Sequence, residues 1–176
     1  MPNIFSAKET SADEREAALY ARFTELRIAY RTYEHPAVFT VEESAAIKET
    51  IPGCHTKNLF LKDKKGGLWL VVVQAQLRVD LNALAKTLGA PRFSFGSADL
   101  LMDHLGITPG SVTPFALIND LARQVQPVLD AEMMRATLVN YHPLRNDRTT
   151  GLSPAALMHF VKSTNHNPTA IVIPEQ

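Results

Sequence analysis

The apolar and polar residues of this chain follow two periods, and together they predict alternating helices and strands. Apolar residues spaced three or four apart behind a capping residue predict helices. These helices cover about residues 11–27, 40–47, 80–89, 97–104 and 153–162. Alternating or continuously apolar runs between Gly, Pro or polar clusters predict strands. These strands cover residues 30–34, 53–63, 68–74, 92–95, 116–119, 125–129, 137–141 and 169–173.

The order of these elements predicts the fold class. Helices and strands are interleaved along 176 residues without a repeat or a linker, which predicts one α/β (or α+β) domain over residues 1–176. Segment 68–74 is almost wholly apolar, as is typical of a central strand buried on both faces. Segment 142–148 is polar and is predicted to be a loop. The sheet is therefore expected to be mixed, with the helices on its outside.

Lys57 is the position where the strand pattern departs from expectation. Side chains alternate between the two faces of a strand, so Lys57 shares a face with Leu59 and Leu61. An unpaired ammonium on an apolar face is costly unless its head reaches water or an anion. Two interpretations stay open from periodicity alone: a snorkelling structural lysine, or the cation of an anion-binding site.

Composition narrows the function classes. The formal net charge is +0, which argues against a protein that coats DNA or RNA by bulk charge. The sequence shows neither a signal-peptide pattern nor an apolar run that could span a bilayer, so a cytoplasmic protein without a membrane partner is expected. The histidines are too scattered to predict a metal site, and no cofactor motif is present.

Two further segments carry candidate chemistry. Loop 106–114 contains two glycines and two prolines, a rigid backbone that can approach a ligand closely, although a helix cap at Gly106 explains part of it.

Cys54 and His55 invite a thiol-nucleophile interpretation, but neighbouring residues of an extended segment point to opposite faces. A small buried residue beside a surface histidine is the favoured interpretation of that pair. His142 is an exposed loop histidine or an orienting hydrogen-bond partner.

Taken together, these motifs resemble a known family. They are His35-Pro36 with Thr40, the strand Thr56-Lys57-Asn58-Leu59-Phe60-Leu61, the Gly-x-x-x-Pro loop from Gly110 to Pro114, and His142-Pro143 with Asn146. With these motifs the chain resembles the YbaK/prolyl-tRNA synthetase-associated editing-domain superfamily, from about residue 12 to residue 173. Within that superfamily it is most similar to the free-standing ProX-type deacylases. The resemblance implies a mixed, mostly antiparallel central sheet flanked by helices.

The resemblance also implies an activity, namely hydrolysis in trans of a mischarged aminoacyl-tRNA, with alanine on proline tRNA as the expected substrate. It implies no metal, no cofactor and no covalent intermediate, because the tRNA's own terminal 2′-hydroxyl helps to activate or position water. At the positions that match the family's motifs, the resemblance implies that Lys57 and Gly110 are the catalytic residues. The expected substrate-binding residues are His35, Thr40, Asn58, Ser111, Val112, Thr113, Pro114 and His142.

The partners and the rival functions follow from the same resemblance and from the charge. The expected partner is the acceptor end of a mischarged tRNA, and prolyl-tRNA synthetase or an elongation factor is the expected delivery partner if independent tRNA binding is weak. The rivals are a deacylase for cysteine or another small amino acid, a catalytically silent tRNA- or synthetase-binding module, and a Cys54-dependent thiol hydrolase. A panel of aminoacyl-tRNAs separates the first two rivals from the expected activity, and alkylation of the single thiol exposes the third.

Overall fold

The helices of the protein begin where the sequence offers capping residues. The computed structural model describes residues 8, 10–37 and 41–176. In this part of the chain the α-helices are α1 Ala12–Glu25, α2 Val41–Lys48, α3 Leu81–Leu88, α4 Ala98–Leu105 and α5 Pro154–Ser163. Ser11 and Glu14 form the predicted capping box of α1, and Ser97 caps α4. Thr40, predicted to cap α2, lies outside the described residues. No described helix is long and apolar enough to cross a membrane.

The strands form one eight-stranded sheet. They are β1 Arg31–Glu34, β2 Cys54–Asp63, β3 Leu68–Gln74, β4 Phe93–Phe95, β5 Val125–Asp130, β6 Val139–Tyr141, β7 Arg148–Leu152 and β8 Thr169–Ile171. Their order is β1-β7-β6-β2-β3-β5-β8, with β4 also paired to β2. Four pairings are antiparallel and three are parallel in the described chain. The predicted fold class, a mixed and mostly antiparallel sheet flanked by helices, is confirmed.

The structure corrects the sequence prediction at two segments. Residues 116–119 are not a strand but part of a buried 3₁₀ helix, Pro114–Asn119, whose first turn is capped by Thr113. A short run buried on all sides has no polar face, so periodicity cannot separate the two forms. Strand β7 was missed, because Thr149 and Thr150 gave the segment a polar, loop-like composition. Both threonines are buried in the sheet.

The two faces of the sheet carry two apolar clusters. Leu70 and Val72 of β3 join the larger cluster, and Val71 and Val73 join the smaller one. Central strand β3 is thus buried on both faces, as predicted. Leu61 belongs to the smaller cluster with Leu59 packed against it. The predicted apolar side of β2 is therefore confirmed, and half-buried Lys57 lies on that side.

Strand β2 pairs with β6 at its start and with β4 at its end along one edge. The fork that this leaves between β2 and β6 positions the candidate site. The first residues of β2, Cys54 and His55, pair in parallel with β6, whereas residues 61–63 pair with β4. Strand β6 ends at Tyr141 while β2 continues for several residues. Between β6 and β4, one edge of β2 is therefore open over residues 56–59, since Phe60 O already accepts from Gly96 N at 2.9 Å. The loop that follows α4 approaches this opening, where Asn58 Nδ2 donates to Val112 O at 3.1 Å.

Candidate functional site

A cavity of about 270 Å³ lies in the fork between β2 and β6. Its walls come from segments far apart in sequence: the end of β1, helix α2, strand β2, the loop after α4, and strands β6 and β7. The lining residues are His35, Ser44, Ile47, Lys48, His55, Thr56, Lys57, Asn58, Pro109, Gly110, Val112, Asn140, Tyr141, His142 and Thr149. The structure thus brings six predicted site residues together, namely Lys57, Asn58, Gly110, Val112, His142 and His35.

Lys57 lines this cavity together with Lys48, and it is a cation there without a counter-charge. Among the described residues no carboxylate lies within salt-bridge distance of its ammonium group. Burial lowers the pKa of Lys57, and the nearby charges of Lys48 and Arg78 lower it further. A half-buried ammonium surrounded by other cations is a favourable partner for an anionic or developing anionic group.

His142 lies at the end of β6 as a neutral imidazole with a defined tautomer. Its Nδ1 is 3.0 Å from Arg148 O, and because a carbonyl only accepts, the proton lies on Nδ1. Burial lowers the pKa of His142, with smaller contributions from His35 and Lys48. In the neutral ring the other nitrogen, Nε2, is a hydrogen-bond acceptor. A substrate hydroxyl or a water molecule is the kind of donor that it suits.

His35 is oriented in a similar way on the neighbouring wall. Its Nδ1 donates to Pro36 O at 2.8 Å, and its Nε2 pairs with Thr149 Oγ1 at 2.9 Å. The ring centroids of His35 and His142 are 6.4 Å apart. Both imidazole side chains therefore belong to the cavity, although the sequence places them more than a hundred residues apart.

The loop after α4 contributes some of its predicted residues to the cavity but not all. Gly110 and Val112 line it, whereas Ser111, Thr113 and Pro114 are buried and do not. Thr113 Oγ1 accepts from Phe115 N at 3.3 Å, which caps the 3₁₀ helix. Gly110 does not have a left-handed backbone conformation, so its conformation is open to other residues. The three buried residues hold the loop in shape; a substrate role for them stays a prediction, and Thr40 lies outside the described residues.

Several polar residues of the cavity were not predicted as site residues, among them Asn140 and Thr149. Asn140 Nδ2 donates to Pro52 O at 3.1 Å and Cys54 O at 3.3 Å, and Thr56 Oγ1 donates to Asn140 O at 2.6 Å. Asn140 therefore ties β6 to the start of β2. For Asn140 the available signal was a polar residue within the predicted strand 137–141, two positions before His142.

Cys54 does not have the surroundings of a thiol nucleophile. Burial raises the pKa of its thiol, and the charge of Asp130 raises it further, whereas a nucleophilic cysteine needs a lowered pKa. His55 Nε2 pairs with Ile51 O at 2.9 Å, so that nitrogen carries a proton and cannot accept one from the thiol. Cys54 is also not among the lining residues. This geometry disfavours the thiol-hydrolase rival.

The described residues gather no metal-ligand set. Over residues 8, 10–37 and 41–176, no group of three or more His, Cys, Asp or Glu side chains is close enough to hold a metal ion. The polar groups that line the cavity are instead two ammonium groups, imidazoles, amides, hydroxyls and backbone. Such groups bind and polarise a ligand by hydrogen bonding and charge.

Comparison with known proteins gives a consistent result. The family model described as the aminoacyl-tRNA editing domain matches residues 35–160. The prolyl-tRNA synthetase associated domain-containing protein 1 of Bos taurus is 42% identical over 160 residues, covering 88% of this chain and 93% of that protein. The prolyl-tRNA editing protein ProX of Acetoanaerobium sticklandii is 35% identical over 159 residues, covering 90% of this chain and 97% of that protein.

A solved structure extends the comparison to the fold. It is the crystal structure of a protein proposed to be a trans-editing enzyme for prolyl tRNA synthetase, and it superimposes with a TM-score of 0.70 at 20% identity. The match covers 96% of this chain and 100% of that one. At this identity the likeness concerns the fold alone.

Proposed function

Because this chain belongs to the family of aminoacyl-tRNA editing domains, we propose that it is a trans-acting deacylase that hydrolyses alanine from mischarged proline tRNA. The observation that carries the proposal is the cavity in the fork of β2 and β6. It combines a cation without a counter-charge, Lys57, with the backbone of a rigid loop at Gly110 and Val112. A relative described as a prolyl-tRNA editing protein supports the choice of tRNA.

The proposed reaction needs no group on the protein that forms a covalent bond. A water oxygen attacks the ester carbonyl carbon, the bond from that carbon to the ribose oxygen breaks, and the ribose oxygen takes up a proton. The products are free alanine and tRNA with an intact terminal ribose. The neighbouring 2′-hydroxyl of the substrate positions or activates the water, so the protein supplies orientation and charge stabilisation.

Each cavity residue has a role in this proposal. Lys57 binds the negative charge of the tRNA 3′ end or the developing oxyanion, and the backbone at Gly110 polarises the carbonyl. His142 accepts from a substrate hydroxyl or from the water through Nε2. Asn58 holds the loop at Val112 and so keeps the wall of the acyl pocket in place.

The size of the cavity favours a small acyl group. At about 270 Å³ it lies just below the range of roughly 300–1,000 Å³ that is usual for drug-sized ligands. One methylene changes binding by only about 1–3 kcal/mol, so exclusion of proline requires steric clash with a rigid wall. The loop from Gly110 to Pro114, packed into the core at its second half, supplies such a wall.

The test is deacylation of one proline tRNA transcript carrying alanine, serine, cysteine or proline. We expect rapid release of alanine, slower release of serine and cysteine, and no release of proline above the uncatalysed rate. Preferred release of cysteine would assign the other small-amino-acid activity. Binding of the tRNA without release of any amino acid would establish the silent binding module instead.

Delivery of the substrate is part of the same proposal. The chain has 18 Lys and Arg against 18 Asp and Glu, so affinity for tRNA must come from local cations such as Lys48, Lys57 and Arg78. We propose that prolyl-tRNA synthetase or an elongation factor raises the effective concentration of mischarged tRNA at the cavity. Adding either protein to the deacylation assay at low substrate concentration tests this, and an unchanged rate would contradict it.

A further inference from the structure

A second cavity lies next to the candidate site on the same face of the sheet. Its volume is about 300 Å³, and Asn140 lines both cavities. The residues around it are Ala29, Tyr30, Arg31, Tyr33, Pro52, Leu138, Asn140, Gly151 and Leu152. Two tyrosines, one arginine and several aliphatic side chains make its chemistry unlike that of the first cavity.

Strand register explains why the two cavities are adjacent. Arg31 and Tyr33 of β1 pair with Gly151 and Thr149 of β7, and Gly151 pairs with Asn140 of β6. Directly paired residues share a face, so these side chains lie on one surface. Thr149 lines the first cavity and Gly151 the second, and two residues along a strand span about 7 Å.

The second cavity is deep at Gly151, because glycine has no side chain to fill the space above the sheet. A Cβ atom at Gly151 would come within 2.8 Å of Asn140 Oδ1. Arg31 and Asn140 flank this glycine on the neighbouring strands. The sheet therefore has a depression with a cationic side chain on one side and an amide on the other.

Arg31 and Tyr33 form the recognition pair of the depression. The Arg31 guanidinium carbon lies 5.1 Å from the centre of the Tyr33 ring, a cation–π distance. Arg31 is exposed, and no carboxylate in the described part of the chain forms a salt bridge with it. Tyr30 also lines the cavity, and its ring is stacked on Tyr20 with ring centroids 4.6 Å apart. Aromatic and guanidinium groups are the surfaces on which proteins stack unpaired nucleobases, and here they border a largely apolar cavity.

We propose that the second cavity binds the nucleobase of the terminal nucleotide whose ribose carries the ester. The proposal rests on the proposed deacylase function and adds a subsite to it. In an aminoacylated 3′ end the base and the ester are substituents of one ribose, so an ester held at Lys57 places the base one sugar ring away. The second cavity is the neighbouring space with stacking groups, and the base placed there lies against Tyr33 with Arg31 at its edge.

The experiment compares two small esters that differ only in the base: alanyl-adenosine and the alanyl ester of methyl riboside, each with its free neighbouring hydroxyl. We expect the unaltered protein to have a kcat/KM about 5- to 150-fold higher for the adenosine ester, as one base stacked on an aromatic side chain provides. Tyr33→Ala and Arg31→Ala should each reduce that preference while the riboside ester is hydrolysed at the same rate. Phe95→Ala and Arg92→Ala remove an exposed ring and an exposed cation on and beside β4 and serve as matched controls.

The outcomes separate the two proposals. Equal kcat/KM for the two esters in the unaltered protein would overturn the base subsite while leaving the deacylase function intact. A full preference in folded Tyr33→Ala and Arg31→Ala would also overturn it. Hydrolysis of neither ester, together with no release of alanine from tRNA, would overturn the deacylase function and the subsite with it. Because the first comparison uses the unaltered protein, a variant that fails to fold does not remove the test.

Discussion

Lys57 carries the charge to which we assign a role in catalysis, at a position where burial disfavours that charge. Burial and two neighbouring cations lower the pKa of Lys57, which means that the folded state disfavours its protonated form relative to the unfolded chain. Stability therefore increases as pH rises through the lowered pKa, while any role of the ammonium in catalysis is lost over the same interval. The proposed catalytic role of the Lys57 ammonium and the stability of the fold therefore change in opposite directions as pH rises.

Replacing Lys57 by methionine should separate these two effects. We expect Lys57→Met to lower the single-turnover rate by roughly 10²–10³, as for removal of one oriented electrostatic group. The free energy of unfolding should stay the same or rise, because a disfavoured charge is removed. Urea denaturation beside the deacylation assay measures both. Lys57→Arg keeps the charge on a wider, planar group and should recover only part of the rate.

The activity of the unaltered protein should also decline at a lower alkaline pH than it would if Lys57 had an ordinary lysine pKa. The decline is expected below the usual lysine pKa of 10.5, after subtraction of the uncatalysed ester hydrolysis at each pH. A single-turnover rate in folded Lys57→Met equal to that of the unaltered protein would contradict the catalytic role and show that Lys57 is a structural residue.

Gly110 offers a second test at the residue scale. This test concerns the space available for a side chain at residue 110 and not backbone strain. The nearest atom to a Cβ at Gly110 would be Asn146 Nδ2 at 3.6 Å, an ordinary contact, and the backbone is not left-handed. Gly110→Ala should therefore fold with a free energy of unfolding within about 1 kcal/mol of the unaltered protein. Gly110→Val should fold as well but release alanine more slowly, because its methyl groups extend into the cavity. Equal rates for all three proteins would show that this wall does not meet the acyl group.

At the element scale, helix α1 supports the site without lining it. Glu16 is 5% exposed and its Oε1 forms salt bridges with Arg148 and, at 3.8 Å, with Arg145 Nη1. Arg145 in turn contacts Asp147 at 2.5 Å. The backbone carbonyl of Arg148 accepts from His142, as described above. Helix α1 precedes the segment matched by the family model, yet its carboxylate holds the loop that orients His142.

Glu16→Gln should therefore weaken both the fold and the site. Replacing this carboxylate removes the buried partner that Arg148 and Arg145 share and leaves them, among the described residues, only Glu34, Asp147 and Asp13, so we expect a loss of about 1.5–3 kcal/mol in the free energy of unfolding. Asp13→Asn is the matched control, since Asp13 contacts the same Arg145 but its side chain is 84% exposed. That variant should lose less than about 1 kcal/mol.

The nitrogen chemical shifts of the His142 ring distinguish a positioning role from a merely structural one. In folded Glu16→Gln the proton should no longer be confined to Nδ1, and the pH profile of deacylation should change with it. Unchanged shifts and an unchanged profile would reduce Glu16 to a stabilising residue.

At the scale of the whole molecule, half-buried His142 gives the free energy of unfolding a defined pH dependence. The pKa of His142 is lowered from its ordinary 6.5, so the unfolded chain binds a proton at a pH where the folded protein does not. As pH falls below about 6.5, stability is therefore lost, and the loss continues down to the folded pKa. The pKa of Asp147 is lowered chiefly by its hydrogen bond to Arg145, which adds a second loss at more acidic pH.

Urea denaturation between about pH 5 and pH 7.5 measures the histidine component. The free energy of unfolding should fall toward the acid end, and the fall should be shallower in His142→Gln. His159→Gln, at an exposed position of α5, should follow the unaltered protein. A His142→Gln variant with the original slope would assign the acid sensitivity to other groups.

What the sequence determined by itself was local or carried by short motifs. The first turn of α1 is encoded within four residues by Ser11 and Glu14, and that of α4 by Ser97, because a cap bonds to amides three positions away. The two-sided burial of β3 is visible as an unbroken apolar run. The family is visible in the Lys57-Asn58 strand and in the loop from Gly110 to Pro114. Each of these signals depends on neighbours in the chain.

Only the tertiary structure decided which distant residues meet. It folded residues 116–119 as a 3₁₀ helix, and it made Arg148–Leu152 a strand although its threonines resemble a loop. Those threonine hydroxyls are satisfied by partners distant in sequence, such as Tyr20 with Thr150 at 2.9 Å. Asn140 and Thr149 reach the cavity only because β6 pairs with both β2 and β7. Strand pairing joins residues by hydrogen bonds across the sheet, and the residues of one strand do not specify which distant strand will complete them.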